Sequence, residues 1–198
     1  GLKHTAREIA QAEGVPLLPG TGLLPDVATA LREAEQIGYP VMLKSTAGGG
    51  GIGMQLCWNA AELEPAFARV DRLSRANFKE SGLFLEKYVE RARHIEVQIF
   101  GDGRGHVVAL GERDCSVQRR NQKIIEESAS PLLRPDQVAE LKASAERLAL
   151  AVDYRGAGTV EFLYHPGEEL FAFLEVNTRL QVEHPITEVT NEFDLVKA

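Results

Sequence analysis

The sequence predicts a mixed α/β chain of the α+β type, in which helices alternate with antiparallel rather than parallel strands. Three observations carry that reading. Two pairs of strand-like segments are joined by short turns, at Asp102-Gly103 and at Pro166-Gly167; turns this short make antiparallel hairpins, because a parallel crossover needs a dozen or more residues. A glycine-rich run, "KSTAGGGGIGM" (44–54), separates two further apolar segments. Helical periodicity comes in separate blocks, two of them closed by glycine.

In chain order, "KHTAREIAQAEG" (3–14) is an amphipathic helix stopped by Gly14, and "VPLLPGTGLLP" is a Pro/Gly connector. Asp26 is placed to cap a helix that runs to Ile37 and stops at Gly38. "YPVMLK" (39–44), "MQLCW" and "GLFLEKYV" (82–89) read as strands, with a helix over 60–77 between the last two. These elements form one small α/β unit over 19–88. The part from 89 onward is richer in strands: a hairpin over 94–116, a helix over 135–152 and a second hairpin over 157–177.

Composition narrows the function. The chain has 198 residues, 44% apolar and 26% charged, the make-up of a soluble globular protein. A net charge of −7 argues against a general binder of nucleic acid or anionic membrane. No apolar run approaches the roughly 18 residues of a membrane span, and no signal-peptide pattern opens the chain. Cys57 and Cys115 lack metal-ligand spacing; buried thiols in a reducing, cytoplasmic setting are expected.

The glycine run contains GxGxxG, yet a strand follows it where a dinucleotide fingerprint needs a helix, and Lys44 precedes the glycines where a Walker loop needs a lysine after them. It reads as a flap between two strands whose bare amides approach phosphate, with Lys44 in reach. In the second hairpin, strand alternation puts Phe171, Phe173, Glu175 and Asn177 on one face, and Glu161 falls opposite Glu175 within a residue or two. Facing carboxylates repel. With Asn177 they make a hard-oxygen set suited to Mg²⁺. "ERDCSVQRRNQK" (112–123) holds Arg113, Arg119, Arg120 and Lys123; alone it reads as a solvated or salt-bridged face, and beside a metal–phosphate site as an anion lining. In "TRLQVEH" (178–184), Arg179 suits a small planar anion, Glu183 suits a general base, and His184 reads as a packed structural residue.

Together, "KSTAGGGGIGM", "FLEKYVERARHIEVQIFGDGRGHVVALGERDCSVQRRNQK", "YRGAGTVEF" and "FLEVNTRLQVEHPITE" resemble the biotin carboxylase branch of the ATP-grasp family along nearly the whole chain. The resemblance implies a glycine-rich lid subdomain at 19–88 and part of an antiparallel-sheet ATP-binding subdomain at 89–198. Residues 1–18 would be the helix and connector from a preceding N-terminal domain. It implies a reaction in which MgATP and bicarbonate give carboxyphosphate, and CO₂ passes to N1 of a biotin carried on a partner domain.

Carried over to this sequence, the resemblance implies Lys3 and Lys44 on the ATP phosphates and Gly48, Gly49, Gly50, Gly51 and Gly53 in the lid. Glu86, Lys87, Tyr88 and Val89 form the adenine hinge, and His94 and Gln118 lie on the ribose side. Lys123 lies near the γ-phosphate. Glu161, Glu175 and Asn177 hold Mg²⁺ or Mn²⁺. Arg179, Gln181 and Val182 cradle bicarbonate, and Glu183 is its base.

Ile52 and Asn121 depart from the commoner family pattern, where a basic residue and a histidine stand; both, with the "VPLLPGTGLL" connector, resemble the urea carboxylase subfamily. The implied partners are a biotin carboxyl carrier domain and a carboxyltransferase domain, in a homo-oligomer. Further segments are expected before Gly1 and after Ala198, so residues 1–198 by themselves are expected to carboxylate little biotin. The alternatives are the biotin carboxylase of an acyl-CoA or pyruvate carboxylase, another ATP-grasp ligase such as a carbamoyl-phosphate enzyme, and a non-catalytic nucleotide-binding module.

Overall fold

The structure is a computed structural model that describes residues 3–46, 53–77, 82–119 and 122–197. It divides into two compact units.

Helix α1 (Lys3–Ala12) opens the described chain. The smaller unit, which includes Leu18–Glu90, contains α2 (Val27–Ile37), β1 (Val41–Ser45), β2 (Met54–Cys57), α3 (Ala60–Asn77) and β3 (Leu83–Lys87). Asp26 caps α2 as expected: its carboxylate accepts from Thr29 N–H at 2.7 Å. Gly38 ends the helix at φ +82°, a backbone region that glycine adopts at little cost. The sheet order is β2-β1-β3, antiparallel throughout. Val41 and Leu43 of β1 and Leu83 and Leu85 of β3 bury against Ala30, Ala34, Leu63, Ala66 and Val70 of the two helices. Each fully buried Leu or Val contributes about 1.5–3 kcal/mol.

The larger unit takes in Ala6–Leu17 and Arg91–Ala198. Its strands are β4 (Arg93–Asp102), β5 (Val107–Arg119), β6 (Gln122–Glu127), β7 (Arg155–His165) and β8 (Leu170–Asn177); its later helices are α4 (Pro135–Leu150) and α5 (His184–Asn191). The antiparallel sheet has the order β6-β5-β4-β7-β8, with hairpin turns where the sequence places them. One face is the core. Ile95, Val97 and Ile99 of β4 and Val160, Phe162 and Tyr164 of β7 bury there against Leu141, Ala145, Leu148 and Ala149 of α4. Strand β6 and helix α5 are not predicted from the sequence.

One expectation is corrected. Glu161 does pair with Glu175, and Thr159 with Asn177, but the register then skips from Glu161↔Glu175 to Phe162↔Phe173. Leu174 is the extra residue of a β-bulge, and a bulge changes which face the strand offers. Phe171 and Phe173 therefore turn to the core, their rings edge-on to Phe162. Glu175 and Asn177 share the opposite face with Glu161 and Thr159. The bulge lets an apolar strand become polar within two residues.

Candidate functional site

That polar face builds the site. Strand register aligns Arg113 with Glu96, Glu96 with Glu161, and Glu161 with Glu175. One cation and three carboxylates thus form a row across β5, β4, β7 and β8. Like charges on neighbouring strands destabilise a sheet unless something neutralises them. Two cations do so here. Arg113 donates to Glu96 Oε1 at 2.6 Å. Lys123, from β6, bonds to the other oxygen of Glu96 and donates to Glu161 Oε1 at 3.1 Å and to Glu183 Oε1 at 2.6 Å.

The electrostatics follow from this contact set. Burial pushes the Glu161 carboxyl up, but His94 and Lys123 outweigh it and hold its pKa at about 2. Burial likewise opposes ionisation of Glu183, and the Lys123 contact overcomes it, leaving that pKa below the usual carboxylate range. Burial disfavours the Lys123 ammonium, yet Glu161, Glu96 and Glu183 raise its pKa well above normal. All three are therefore charged at neutral pH. The remaining contacts of Glu161 come from Asn177 Nδ2 at 2.8 Å and Gln181 Nε2 at 3.4 Å. His94 Nε2 lies 3.0 Å from Glu161 Oε2, and Gln118 Nε2 meets the other ring nitrogen at 2.8 Å.

The structure thus brings together His94, Gln118, Lys123, Glu161, Gln181 and Glu183, with Glu175 and Asn177 beside Glu161 by register. Arg179 is exposed, with Nη1 donating to the carbonyl of Leu180 at 3.2 Å. Val182 is 91% exposed. Gln181 is buried, and its Oε1 has no hydrogen-bond partner among the described residues. His184 packs as expected, Nδ1 lying 2.6 Å from Gln181 O. Both cysteines are buried free thiols, also as expected; burial pushes Cys57 up to about 11 and Cys115 higher still.

Other candidates lie on the smaller unit. Lys44 is buried on β1 and ion-paired with Glu86 on β3. Lys87 Nζ donates to the carbonyls of Gly38 and Tyr39 at 2.8 and 3.0 Å, and Tyr88 N–H to Pro40 O at 3.1 Å. Val89 follows in an irregular segment. Lys3 N–H reaches Thr46 O at 3.4 Å. Gly53 adopts φ +80°, and its carbonyl accepts from Ser45 N–H at 2.8 Å, so the chain folds back at the end of the glycine run. Gly48, Gly49, Gly50, Gly51, Ile52, Arg120 and Asn121 lie outside the described residues.

Sequence reasoning missed Glu96; Arg113, read as part of a solvated or salt-bridged face, is salt-bridged to Glu96 and fully buried. The signal for Glu96 was present: in "HIEVQIF" it alternates with Ile95 and Val97 and so faces away from the core.

Chemically, the face offers two carboxylates and an amide side chain in register, backed by a charged ammonium. These hard oxygens fit Mg²⁺ or Mn²⁺, since such ions prefer carboxylate and carbonyl ligands and leave room for phosphate oxygens. The Lys123 ammonium already shows that this position accepts positive charge.

The family described as "Carbamoyl-phosphate synthase L chain, ATP binding domain" matches residues 3–198. The chain belongs to this family. It is 53% identical over 197 residues to the urea amidolyase of Lachancea kluyveri, covering 100% of this chain and 11% of that protein. The crystal structure of a biotin carboxylase–βγ-ATP complex from Campylobacter jejuni superposes with a TM-score of 0.95 at 44% identity, over 98% of this chain and 44% of that one. The biotin carboxylase domain of the Hydrogenobacter thermophilus 2-oxoglutarate carboxylase, a dimer in complex with MgADP, ADP and bicarbonate, gives 0.94 at 44% identity, over 100% and 44%. The chain therefore spans from about a tenth to under half the length of these relatives. Its fold is that of biotin carboxylase ATP-grasp domains, with helices packed on antiparallel sheets. No helix among the described residues is long and apolar enough to cross a membrane.

Proposed function

We propose that this chain is the MgATP- and bicarbonate-binding part of a biotin carboxylase, within a biotin-dependent carboxylase whose final acceptor is urea. The observation that carries the reading is the aligned row Glu96, Glu161 and Glu175 with Lys123 joining it to Glu183. That arrangement supports a phosphate-directed cation, a set of metal ligands and a carboxylate base within one face. The similarity to biotin carboxylases in complex with ATP analogue, MgADP and bicarbonate supports the same substrates here.

Glu161, Glu175 and Asn177 would hold the divalent cation, which supplies charge neutralisation on the transferred phosphoryl group. Lys123 stays protonated and offers its ammonium to the γ-phosphate. Lys3, Lys44 and the glycine run address the other phosphates, Glu86 to Val89 the adenine, and His94 and Gln118 the ribose. Arg179, Gln181 and Val182 orient bicarbonate; the orphan acceptor on Gln181 is matched to its hydroxyl. Glu183 is ionised at neutral pH, the form a base needs, and its basicity rises as Lys123 turns from it toward phosphate. Positioning of this kind is most of what phosphoryl transfer asks of a protein. The bicarbonate oxygen then attacks the γ-phosphorus and ADP leaves, giving carboxyphosphate; its decomposition releases CO₂ and a phosphate that takes the N1 proton of biotin.

The choice of urea rests on the urea amidolyase similarity and on Ile52 and Asn121. Carrier and carboxyltransferase domains, and assembly as a homo-oligomer in the cytoplasm, belong to the same proposal. The test is ATP hydrolysis by the full-length protein with bicarbonate, with and without urea. Stimulation by urea is expected. Bicarbonate-dependent hydrolysis indifferent to urea would move the acceptor to an acyl-CoA ester or pyruvate. The family description favours one other reading, a carbamoyl-phosphate-type ligase; turnover unaffected by biotin would support it.

A further inference from the structure

We propose that Arg113 is a positioning residue for the Lys123–Glu183 pair, acting on it from two directions at once. The inference rests on the roles given above to Lys123 and Glu183.

Arg113 is fully buried and spends its guanidinium on four partners. Nε donates to Glu96 Oε1 at 2.6 Å, Nη1 to Gln98 Oε1 and to Thr187 Oγ1 at 2.8 Å each, and Nη2 to Thr159 Oγ1 at 3.2 Å. Two of these lead to the site by different routes. Through Glu96 the path reaches Lys123 and then Glu183. Through Thr187 it reaches α5, whose N-cap residue is Glu183. Thr187 lies four residues after Glu183, just over one helical turn. The contacts therefore close into a ring: Arg113, Glu96, Lys123, Glu183, one turn of α5, Thr187 and Arg113 again.

Stability alone gives a weak reason for such a residue. A buried ion pair seldom stabilises more than apolar side chains of the same volume. The fork matters because it fixes directions: five donors in one plane serve a carboxylate, an amide and two hydroxyls together. The arginine charge also shares Glu96 with Lys123. Without it, Lys123 alone of this pair balances Glu96, and Coulomb attraction draws the ammonium from Glu183 toward β4. Without the Thr187 bond, the first turn of α5 keeps the Lys123–Glu183 contact but loses its tie to Arg113 of β5, and the carboxylate of Glu183 is set less accurately. A lysine at 113 keeps the charge but has no planar fork to reach Thr187 and Glu96 together.

The test uses the full-length protein and bicarbonate-dependent ATP hydrolysis, with kcat and KM for ATP determined separately. Thr187→Val is expected to lower kcat on the order of tenfold, the scale of one lost hydrogen bond, with KM for ATP within about twofold. Thr187→Ser, which keeps the hydroxyl, is expected to restore kcat to within about twofold of wild type. Arg113→Lys is expected to lower kcat on the order of a hundredfold, the scale of a misplaced reacting group. A kcat unchanged in Thr187→Val overturns the inference, as does a loss that Thr187→Ser fails to restore. The threonine pair decides the matter even if Arg113→Lys does not fold. A wild-type protein without bicarbonate-dependent hydrolysis overturns the functional reading itself, and this inference with it; a working wild type with indifferent variants overturns this inference alone.

Discussion

Glu161 and Glu175 stand opposite each other across β7 and β8, one residue short of a bulge that turns the neighbouring phenylalanines to the other face. Two carboxylates in register are the basis of the metal assignment. Glu175→Gln in the full-length protein keeps the shape and removes one charged ligand. Mg²⁺-dependent ATP turnover is expected to fall on the order of a hundredfold and to need more Mg²⁺ for half-saturation. A magnesium titration checks this. Near-normal turnover at the same Mg²⁺ demand would remove Glu175 from the ligand set.

Glu183 is ionised and lies 2.6 Å from Lys123. If it is the base for bicarbonate, Glu183→Ala loses bicarbonate-dependent hydrolysis by a factor of roughly 10² to 10⁴. ATP affinity, read by equilibrium binding of a labelled nucleotide, is expected to stay within a few-fold of wild type. Collapse of nucleotide binding would instead make Glu183 a structural partner of Lys123.

The depressed pKa of Glu161 makes a statement about acid stability. Its ordinary value is 4.5 and its folded value about 2. The folded state therefore binds this proton less readily than the unfolded chain does. The resulting stability is fully present above pH 4.5 and disappears as pH falls from there toward 2. Its size is on the order of 3 kcal/mol. Metal-free wild type, in chelator, is expected to lose more stability over that interval than Glu161→Gln, as measured by urea unfolding at a series of pH values. Equal acid sensitivity in the two proteins would contradict the charge balance described for this carboxylate.

Lys44 and Glu86 form a buried ion pair within the smaller unit. Glu86→Leu leaves the ammonium in the interior without that carboxylate, a change that costs about 3–5 kcal/mol. The expected result is a clearly lower urea midpoint for unfolding of this unit, followed by the near-ultraviolet signal of Trp58, which lies 6.4 Å from the Tyr88 ring. An unchanged midpoint would mean that Lys44 reaches solvent readily.

Much of this was legible in the sequence, for identifiable reasons. The hairpins were, because their turns are short and their strands alternate; pairing Glu161 with Glu175 needed only the turn at Pro166-Gly167 and counting. The bulge was not, since one extra residue, Leu174, leaves no mark on composition. It overturned the predicted sharing of a face by Phe173 and Glu175. Strand β6 was hidden because "QKIIEE" has no clean alternation and is held by pairing with β5. Helix α5 was hidden because "HPITEVTN" is rich in β-branched residues and ends on Glu192 in the left-handed region, with no glycine to mark the stop. Arg113 sits in a run of charges that reads as a solvated or salt-bridged face; its burial is explained by partners on other elements, Glu96, Gln98, Thr159 and Thr187, which the run itself does not reveal.

The most direct test of the central claim is transfer of labelled bicarbonate to biotin by the full-length protein with MgATP, with ADP measured alongside. The account predicts acid-labile label on biotin and ADP formed at least one for one, both lowered on the order of a hundredfold or more by Glu175→Gln or Glu183→Ala. ADP release that consumes bicarbonate and leaves biotin unlabelled would contradict it and assign the same face to a different ATP-dependent ligase.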